Sequence, residues 1–182
     1  MYNPAAWFER KFDIPVPLEL LPNVMARLRG APARLEETVR GAPQEMLTRK
    51  PQEKWSAQEH AGHLLDLEPL WLARVEDYVS PATELTVADL TNRTTHEANH
   101  NARPIEEILS GFRSARMLLL ERVAALDEAA FTPAIPHPRL KTPMRLIDHL
   151  HFVAEHDDHH LAHIWALTGA QNPVAKTRDM RK

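Results

Sequence analysis

The chain has 182 residues, a length typical of one domain with a full hydrophobic core. Its hydrophobic fraction of 43% and charged fraction of 26% are those of an ordinary soluble globular protein. The formal net charge of −3 provides no basic field for nucleic acid or an anionic membrane. Cysteine is absent, which excludes disulfides, thiolate metal ligands, Fe–S clusters and a cysteine nucleophile carried by the protein.

Histidine is the residue type that stands out. The chain has 11 histidines, and six of them lie between His149 and His163. With only 5 glycines against 15 prolines, a glycine-rich phosphate loop is not expected. Concentrated imidazole without cysteine therefore indicates metal binding or acid–base chemistry as the hypotheses to examine.

Hydrophobic periodicity predicts helices along the whole chain and no convincing β-strand. The first helix is predicted over about 21–40, with a kink at the Gly-Ala-Pro of 30–32. The second helix is predicted to begin after Ser56, which can form a capping box with Glu59, and to end near residue 80.

Two connections separate the remaining helices. A polar connection over 81–103 leads to a third helix predicted over 104–126. A proline-rich connection then leads to a fourth helix, with Thr142 as N-cap and Pro143 as its first residue. This helix is predicted to end before Gly169.

Four helices with one apolar stripe each predict an all-α protein, a single four-helix bundle domain over residues 1–182. Residues 1–20 are interpreted as an N-terminal extension and 174–182 as a tail. The beginning of the chain lacks the apolar region of a secretory signal, and no stretch is apolar over about 20 residues. We therefore expect a cytoplasmic protein.

The fourth predicted helix carries two pairs of histidines at i, i+4 spacing. His156 and His160 lie on one face at the edge of the apolar stripe, which is the spacing by which a helix offers two imidazoles to one metal. A polar helix that is simply rich in histidine is the alternative. His159 and His163 form a second pair rotated toward solvent, and His151 is expected at the surface.

Asp157 falls near the middle of the apolar stripe, where an unpaired carboxylate would cost several kcal/mol. It therefore needs a partner, which can be an imidazole, an arginine, a group next to a metal, or a hydrogen bond to another helix. On the second helix, His60 is central and is interpreted as a core histidine. His63 lies on the flank, where it can meet a ligand held between helices.

Two segments of the chain resemble signatures of the DinB-like superfamily. Residues 54–64 (KWSAQEHAGHL) resemble its W-S-x-x-E-x-x-x-H-L motif, and residues 154–164 (AEHDDHHLAHI) resemble its H-x-x-x-H-x-x-Q-I motif. The stretch 137–140 (HPRL) and Pro143 also resemble the approach to the fourth helix in that family. The resemblance covers nearly the whole chain.

The resemblance implies an up-down-down-up four-helix bundle, often dimeric, with a three-histidine site for a divalent metal. Carried over by motif position, the metal ligands are His63, His156 and His160. Two positions depart from the family pattern. His163 stands where the family commonly has glutamine, and His60 stands where it more often has an apolar residue.

Three neutral imidazoles with open coordination positions are typical of a catalytic metal site, and nitrogen ligands suit zinc, nickel or ferrous iron. The resemblance implies a metal-dependent enzyme, either a hydrolase or an S-transferase that uses a low-molecular-weight thiol as cosubstrate. The absence of cysteine fits both, because the nucleophile is then water or the cosubstrate. The candidate acid–base residues are, in order of preference, Asp157 and then the carboxylates Glu155, Asp158 and Glu59.

The expected partners are a small-molecule substrate and a second copy of the chain, with no nucleic acid and no membrane. The alternative is a non-catalytic dimeric bundle that binds a small molecule without metal. DNA repair, suggested only by the family's name, is disfavoured by the net charge and the lack of a basic stripe.

The remaining histidines and the long polar connection also receive predictions. His60, His159 and His163 are expected in the pocket or beside the ligands. The connection over 81–103 is expected to form a wall of the pocket through Asn99, His100 and Asn101. The other five histidines are expected in loops or at the surface.

Overall fold

The computed structural model describes residues 4, 6–80 and 82–169, so the predicted tail at 174–182 lies outside the described residues. Within these ranges the chain forms seven α-helices: α1 (Leu21–Val39), α2 (Gln44–Thr48), α3 (Ala57–Asp66), α4 (Glu68–Asp77), α5 (Arg93–Glu97), α6 (Ile105–Ala124) and α7 (Leu146–Thr168). Two strands of two residues, β1 (Ile135–Pro136) and β2 (Pro143–Met144), pair antiparallel. Short 3₁₀ segments lie between several of these elements.

The bundle consists of α1, the α3–α4 pair, α6 and α7, with α1 and α3 each packed against both α6 and α7. Its core has two apolar layers, one toward each end. One layer contains Val24, Val75, Val123 and Leu150. The other contains Leu35, Ala61, Ile108 and Ile164. Helices α1 and α7 therefore run in one direction while α3–α4 and α6 run in the other, which confirms the predicted up-down-down-up bundle.

The predicted second helix is divided in two. Helix α3 ends at Asp66 and α4 begins at Glu68, with Leu67 between them. Pro69 is at the start of α4, and because its nitrogen carries no hydrogen it cannot continue the ladder of the preceding turn. The predicted capping box is present, since the amide of Glu59 donates to Oγ of Ser56 over 3.1 Å.

Helix α1 is continuous through Pro32. A proline inside a helix leaves the carbonyl four residues earlier without its usual donor, and here that carbonyl belongs to Leu28. Nη1 of Arg116 donates to the Leu28 oxygen over 3.2 Å, so a side chain from α6 satisfies the group that Pro32 leaves free.

The predicted start of the fourth helix is wrong by three residues. Pro143 and Met144 form β2 instead, and α7 begins at Leu146 with Arg145 as its N-cap. Oδ2 of Asp148 accepts from the Arg145 amide over 2.9 Å, which gives the helix its N-terminal acceptor at this later position. Gly169 ends the helix at φ 67°, a left-handed conformation that favours glycine.

The segment interpreted as an N-terminal extension packs onto the bundle. Trp7 and Phe12 contact the apolar core, and the Trp7 ring lies 5.1 Å from that of Phe152 in α7. Arg10 also pairs with Glu155 of α7. No described helix combines the length and apolarity needed to cross a membrane.

Candidate metal centre

Three buried histidines from two helices converge inside the bundle. His63 lies on α3, while His156 and His160 lie one turn apart on α7. Each offers a ring nitrogen, and the three nitrogens lie within 4.8 Å of one another. The side chains are 4–5% exposed, so the cluster is enclosed by the bundle.

The geometry and charge of this cluster fit a transition-metal ion. Nε2 of His156 and Nε2 of His160 are 3.1 Å apart. Two imidazoles on a tetrahedral zinc at 2.0–2.1 Å would be about 3.3 Å apart, so the ring nitrogens already have nearly that spacing. Burial lowers the pKa of both histidines well below the usual value, and lowers the pKa of His63 to about 4. Neutral imidazoles are the form that binds a metal.

A chain of hydrogen bonds sets the tautomer of His63. The hydroxyl of Thr95, from α5, donates to Oδ2 of Asp66 over 2.8 Å. The Thr95 oxygen also lies 3.0 Å from Nδ1 of His63. Because the only hydroxyl hydrogen of Thr95 is donated to Asp66, the Thr95 oxygen must be the acceptor in its contact with His63. Nδ1 of His63 therefore carries the proton, which leaves the Nε2 lone pair free to bind a metal. His100 holds the same Asp66 oxygen through Nε2 over 2.8 Å.

His60 lies against His160, the second α7 histidine of the cluster. Its Nδ1 is 2.8 Å from Nδ1 of His160, and burial lowers the pKa of His60 to about 3. If Nε2 of His160 faces the metal, Nδ1 of His160 donates and neutral His60 accepts. His163 stacks on the His60 ring with centroids 4.9 Å apart. The positions at which this sequence departs from the family motif are thus adjacent to the cluster.

The structure does not bring Asp157 to the cluster. Both of its oxygens accept from Arg116, at 2.5 and 3.1 Å, and Arg116 also bonds Glu68 of α4. Asp157 and Arg116 are both fully buried. Asp157 therefore has the arginine partner that its position on the apolar stripe requires, and it lies in an ion pair within the core rather than among the residues lining the cavity.

The other acid–base candidates are also held elsewhere. Glu155 and Asp158 both bond Arg27, and Asp158 also bonds Arg34. Glu59 completes the capping box and pairs with Lys50. Among the described residues, Asp89 is the only carboxylate that lines the cavity next to the histidines.

The cavity beside the three histidines has a volume of about 390 Å³. Its wall next to the cluster is aromatic and comes from Trp7, Trp55, Trp71 and Phe152. The Trp71 ring lies 5.5 Å from that of His156, and the Trp55 ring lies 4.7 Å from that of His63. The histidines thus form one polar end of a largely apolar pocket that can admit a small molecule.

The 81–103 connection does form part of this wall, but through other residues than expected. Val87, Ala88, Asp89, Leu90 and Asn92 line the cavity. Asn101 instead accepts from Oγ of Ser56 over 2.7 Å, and His100 is hydrogen-bonded to Asp66.

The expectation that the other five histidines lie in loops or at the surface is wrong for His149, which is buried in α7, whereas His100 and His137 do lie in connections between helices. His100, His137 and His149 are at most 3% exposed. His100 fits against Gly62, where any Cβ would overlap its ring. His149 lies beside Trp71 and Tyr78 in the core.

Several residues of the site were missed by sequence reasoning. Thr95 and Asp66 gave no motif, although Asp66 does interrupt an apolar run one turn after His63. Gly62, a glycine inside a helix beside a proposed ligand, was a usable signal of close packing. Arg74 and Arg139 of the cavity wall gave no pattern, because helix, loop and hairpin meet there only in the folded chain.

Fold and site together define a helical bundle with an enclosed three-histidine centre. The profile of the DinB superfamily matches residues 27–164, and the chain belongs to that superfamily. No curated protein sequence gives a significant match. Among solved structures, YfiT from Bacillus subtilis is similar, with 19% identity and a TM-score of 0.77 over 89% of this chain and 93% of that chain. YfiT is described as a probable metal-dependent hydrolase with an unusual four-helix bundle topology.

Proposed function

We propose that this protein is a metal-dependent enzyme that holds a divalent ion through His63, His156 and His160. The observation that carries the proposal is the convergence of three buried ring nitrogens within 4.8 Å, beside a cavity of about 390 Å³. Three protein ligands leave coordination positions open for chemistry, whereas a structural site is normally closed by a fourth. The description of YfiT as a probable metal-dependent hydrolase supports the same class of activity.

The nucleophile of the proposed reaction is water or a small thiol, and a thiol has to come from a cosubstrate because the chain has no cysteine. A divalent ion in this site would lower the pKa of water, giving a hydrolase, or of a small thiol, giving an S-transferase. The aromatic wall would bind the apolar part of the substrate and exclude bulk water from the reacting end. His63 and His160 would be held in the ligating tautomer by Thr95 and His60.

The proposal is tested by metal analysis of purified protein loaded with Zn²⁺, Ni²⁺ or Fe²⁺ and then desalted. Wild type should retain about one ion per chain, and His160→Ala should lose it. His151→Ala, a half-buried histidine on the same helix, is the matched control and should retain the ion. Full retention by His160→Ala would contradict the ligand assignment.

The same preparations separate the two activities. A panel of esters and amides without thiol tests hydrolysis, and electrophiles with small thiols test transfer. Metal-dependent turnover in either panel that His160→Ala abolishes supports the proposal. No metal in wild type favours the alternative, a non-catalytic bundle that binds a small molecule without metal. Stoichiometric metal without turnover in either panel supports the ligand assignment and contradicts the enzyme. The homodimer remains a prediction from the resemblance, and the cytoplasmic location remains a sequence prediction.

A further inference from the structure

The cavity has a second polar end that the metal chemistry does not use. Arg74 of α4 lines it together with His137 and Arg139, which the β1–β2 hairpin loop presents. Arg74 is 2% exposed, and no carboxylate of the described residues forms an ion pair with it or with Arg139. A buried guanidinium such as that of Arg74 without an acidic partner among the described residues is unusual, because buried charges are normally paired, and the partly buried Arg139 adds a second such cation at the same wall.

The hydrogen-bond donors at this end outnumber the acceptors. Nε of Arg74 donates to the Thr86 carbonyl over 2.9 Å, but its Nη1 faces Nε2 of His137 at 3.2 Å. Nδ1 of the same imidazole faces the amides of Arg139 and Leu140 at 3.2 and 3.3 Å. A neutral imidazole carries a hydrogen on only one of its two nitrogens. That N–H group of His137 therefore faces another hydrogen-bond donor, whichever nitrogen carries the hydrogen. Nη2 of Arg139 is buried and has no hydrogen-bond partner in the part of the chain that the structure describes.

The charge of this end is positive at neutral pH. Burial lowers the pKa of Arg74 only to about 10, so its guanidinium remains protonated. Burial and the neighbouring arginines keep His137 neutral by lowering its pKa to about 3. The pocket's carboxylate, Asp89, is exposed and accepts from the amides of Thr91 and Arg93 in its own turn. The Asp89 carboxylate forms no ion pair with Arg74.

The spacer between the two polar ends is apolar. Leu67, Leu70 and Trp71 follow His63 along the α3–α4 pair before Arg74 is reached. Arg74 comes 11 residues after His63, a rise of about 16 Å when 1.5 Å per residue is summed over α3 and α4. On α7, Phe152 lies one turn before His156 and its ring is 5.0 Å from that of His137. An elongated ligand can therefore reach both ends while its body contacts aromatic side chains.

We propose that Arg74 and Arg139 form a subsite for a carboxylate, so that the substrate is an acid with an elongated apolar body whose reacting group faces the three histidines. This inference rests on the proposed function, because the orientation of the substrate assumes that its reacting group lies at the metal site. The two N–H groups of a guanidinium match the two oxygens of a carboxylate. A carboxylate here would accept from Nη2 of Arg139 and from the N–H groups that face each other at His137. The apolar walls discriminate against strongly hydrated polyols and free inorganic ions.

Binding of 3-phenylpropionate and of its neutral isostere 3-phenylpropionamide is measured by isothermal titration calorimetry on EDTA-treated protein. Removing metal excludes binding of the carboxylate by a metal ion. The acid should bind at least about tenfold more tightly than the amide, and Arg139→Gln should remove about tenfold of that affinity. Arg113→Gln, which makes the same charge change at a pair with Glu36 outside the cavity, should bind as wild type does.

Arg74→Lys keeps the charge but not the fork and should weaken the acid severalfold, which gives a second readout if one variant folds poorly. Equal binding of acid and amide, or acid binding unchanged in both arginine variants, would overturn the carboxylate subsite. Because the measurement uses metal-free protein, its outcome is independent of metal analysis. If the calorimetry contradicts the subsite but the protein binds stoichiometric metal, only the subsite is rejected. If the acid binds as predicted but the protein binds no metal, only the proposed function is rejected.

Discussion

Thr95 and His63 are joined across two helices by a contact of 3.0 Å between Oγ1 and Nδ1, and this contact determines which nitrogen of His63 can bind a metal. The Thr95 hydrogen is used on Asp66, so His63 is the donor. The loop helix α5 therefore helps define the proposed centre without contributing a ligand. Groups in this position commonly affect metal affinity by 10–100-fold.

Thr95→Val removes the acceptor while preserving shape, and we expect metal affinity to fall by about 10–100-fold with little change in fold. Competition with a chromophoric chelator for Zn²⁺ measures the effect. Thr94→Val, at an exposed position of the same helix, is the control and should match wild type. Equal affinity in all three proteins would show that Thr95 does not set the tautomer.

Gly62→Ala places a methyl group in the volume occupied by the His100 ring, which is buried and cannot move to solvent. Overpacking of this kind costs about 1–3 kcal/mol, more than the roughly 1 kcal/mol that alanine contributes in a helix interior. Urea unfolding should show the net loss of stability. Gly30→Ala in α1 has open space around it and should be neutral or stabilising. Destabilisation by Gly30→Ala alone would contradict this account.

Arg116 is the shared partner of Glu68 and Asp157, and all three side chains are at most 2% exposed. Arg116→Met would leave two buried carboxylates without a cation, and we expect a loss of about 3–5 kcal/mol of unfolding free energy. Arg122→Met breaks an exposed pair with Glu76 and should cost no more than about 1 kcal/mol. Similar effects for the two variants by urea denaturation would rule out a stabilising role for the buried pair.

His149 makes the stability depend on pH. It is fully buried, neither ring nitrogen has a hydrogen-bond partner among the described residues, and burial lowers its pKa well below 6.5. The unfolded chain therefore binds a proton below about pH 6.5 that the folded protein does not, so stability falls as pH decreases. His149→Met removes this loss.

In metal-free protein, the stability of His149→Met relative to wild type should rise by up to about 1.4 kcal/mol per pH unit below 6.5. Urea denaturation at pH 7.5, 6.0 and 5.0 measures the trend. His151→Met, whose histidine is half-buried and has its pKa lowered less strongly, should show a smaller slope. A pH-independent difference between His149→Met and wild type would contradict the assignment.

Features set by local sequence were predictable. The Ser56–Glu59 capping box depends on residues three apart, and the i, i+4 spacing of His156 and His160 places both rings on one face. The division at Leu67 was missed because the apolar stripe continues across Pro69. Hydrophobic periodicity indicates which face of a helix is buried, but it does not indicate where the backbone hydrogen bonds of the helix are interrupted.

Features that depend on contacts distant in sequence were not predictable. Asp157 required a partner, but the choice of Arg116 over an imidazole depends on how α6 packs against α7. His149 resembled a surface residue because histidine is polar, whereas its place on α7 faces Trp71. The role of Trp7 depends on the path by which the N-terminal segment returns to the bundle.

The most direct test of the central claim is an anomalous-difference map from crystals of zinc-loaded protein at the zinc edge. The account predicts one strong peak per chain, about 2.0–2.1 Å from Nε2 of His63, His156 and His160, with an open position facing the aromatic cavity. A peak bound instead by His159 and His163, or no peak at the three histidines in fully loaded protein, would contradict it.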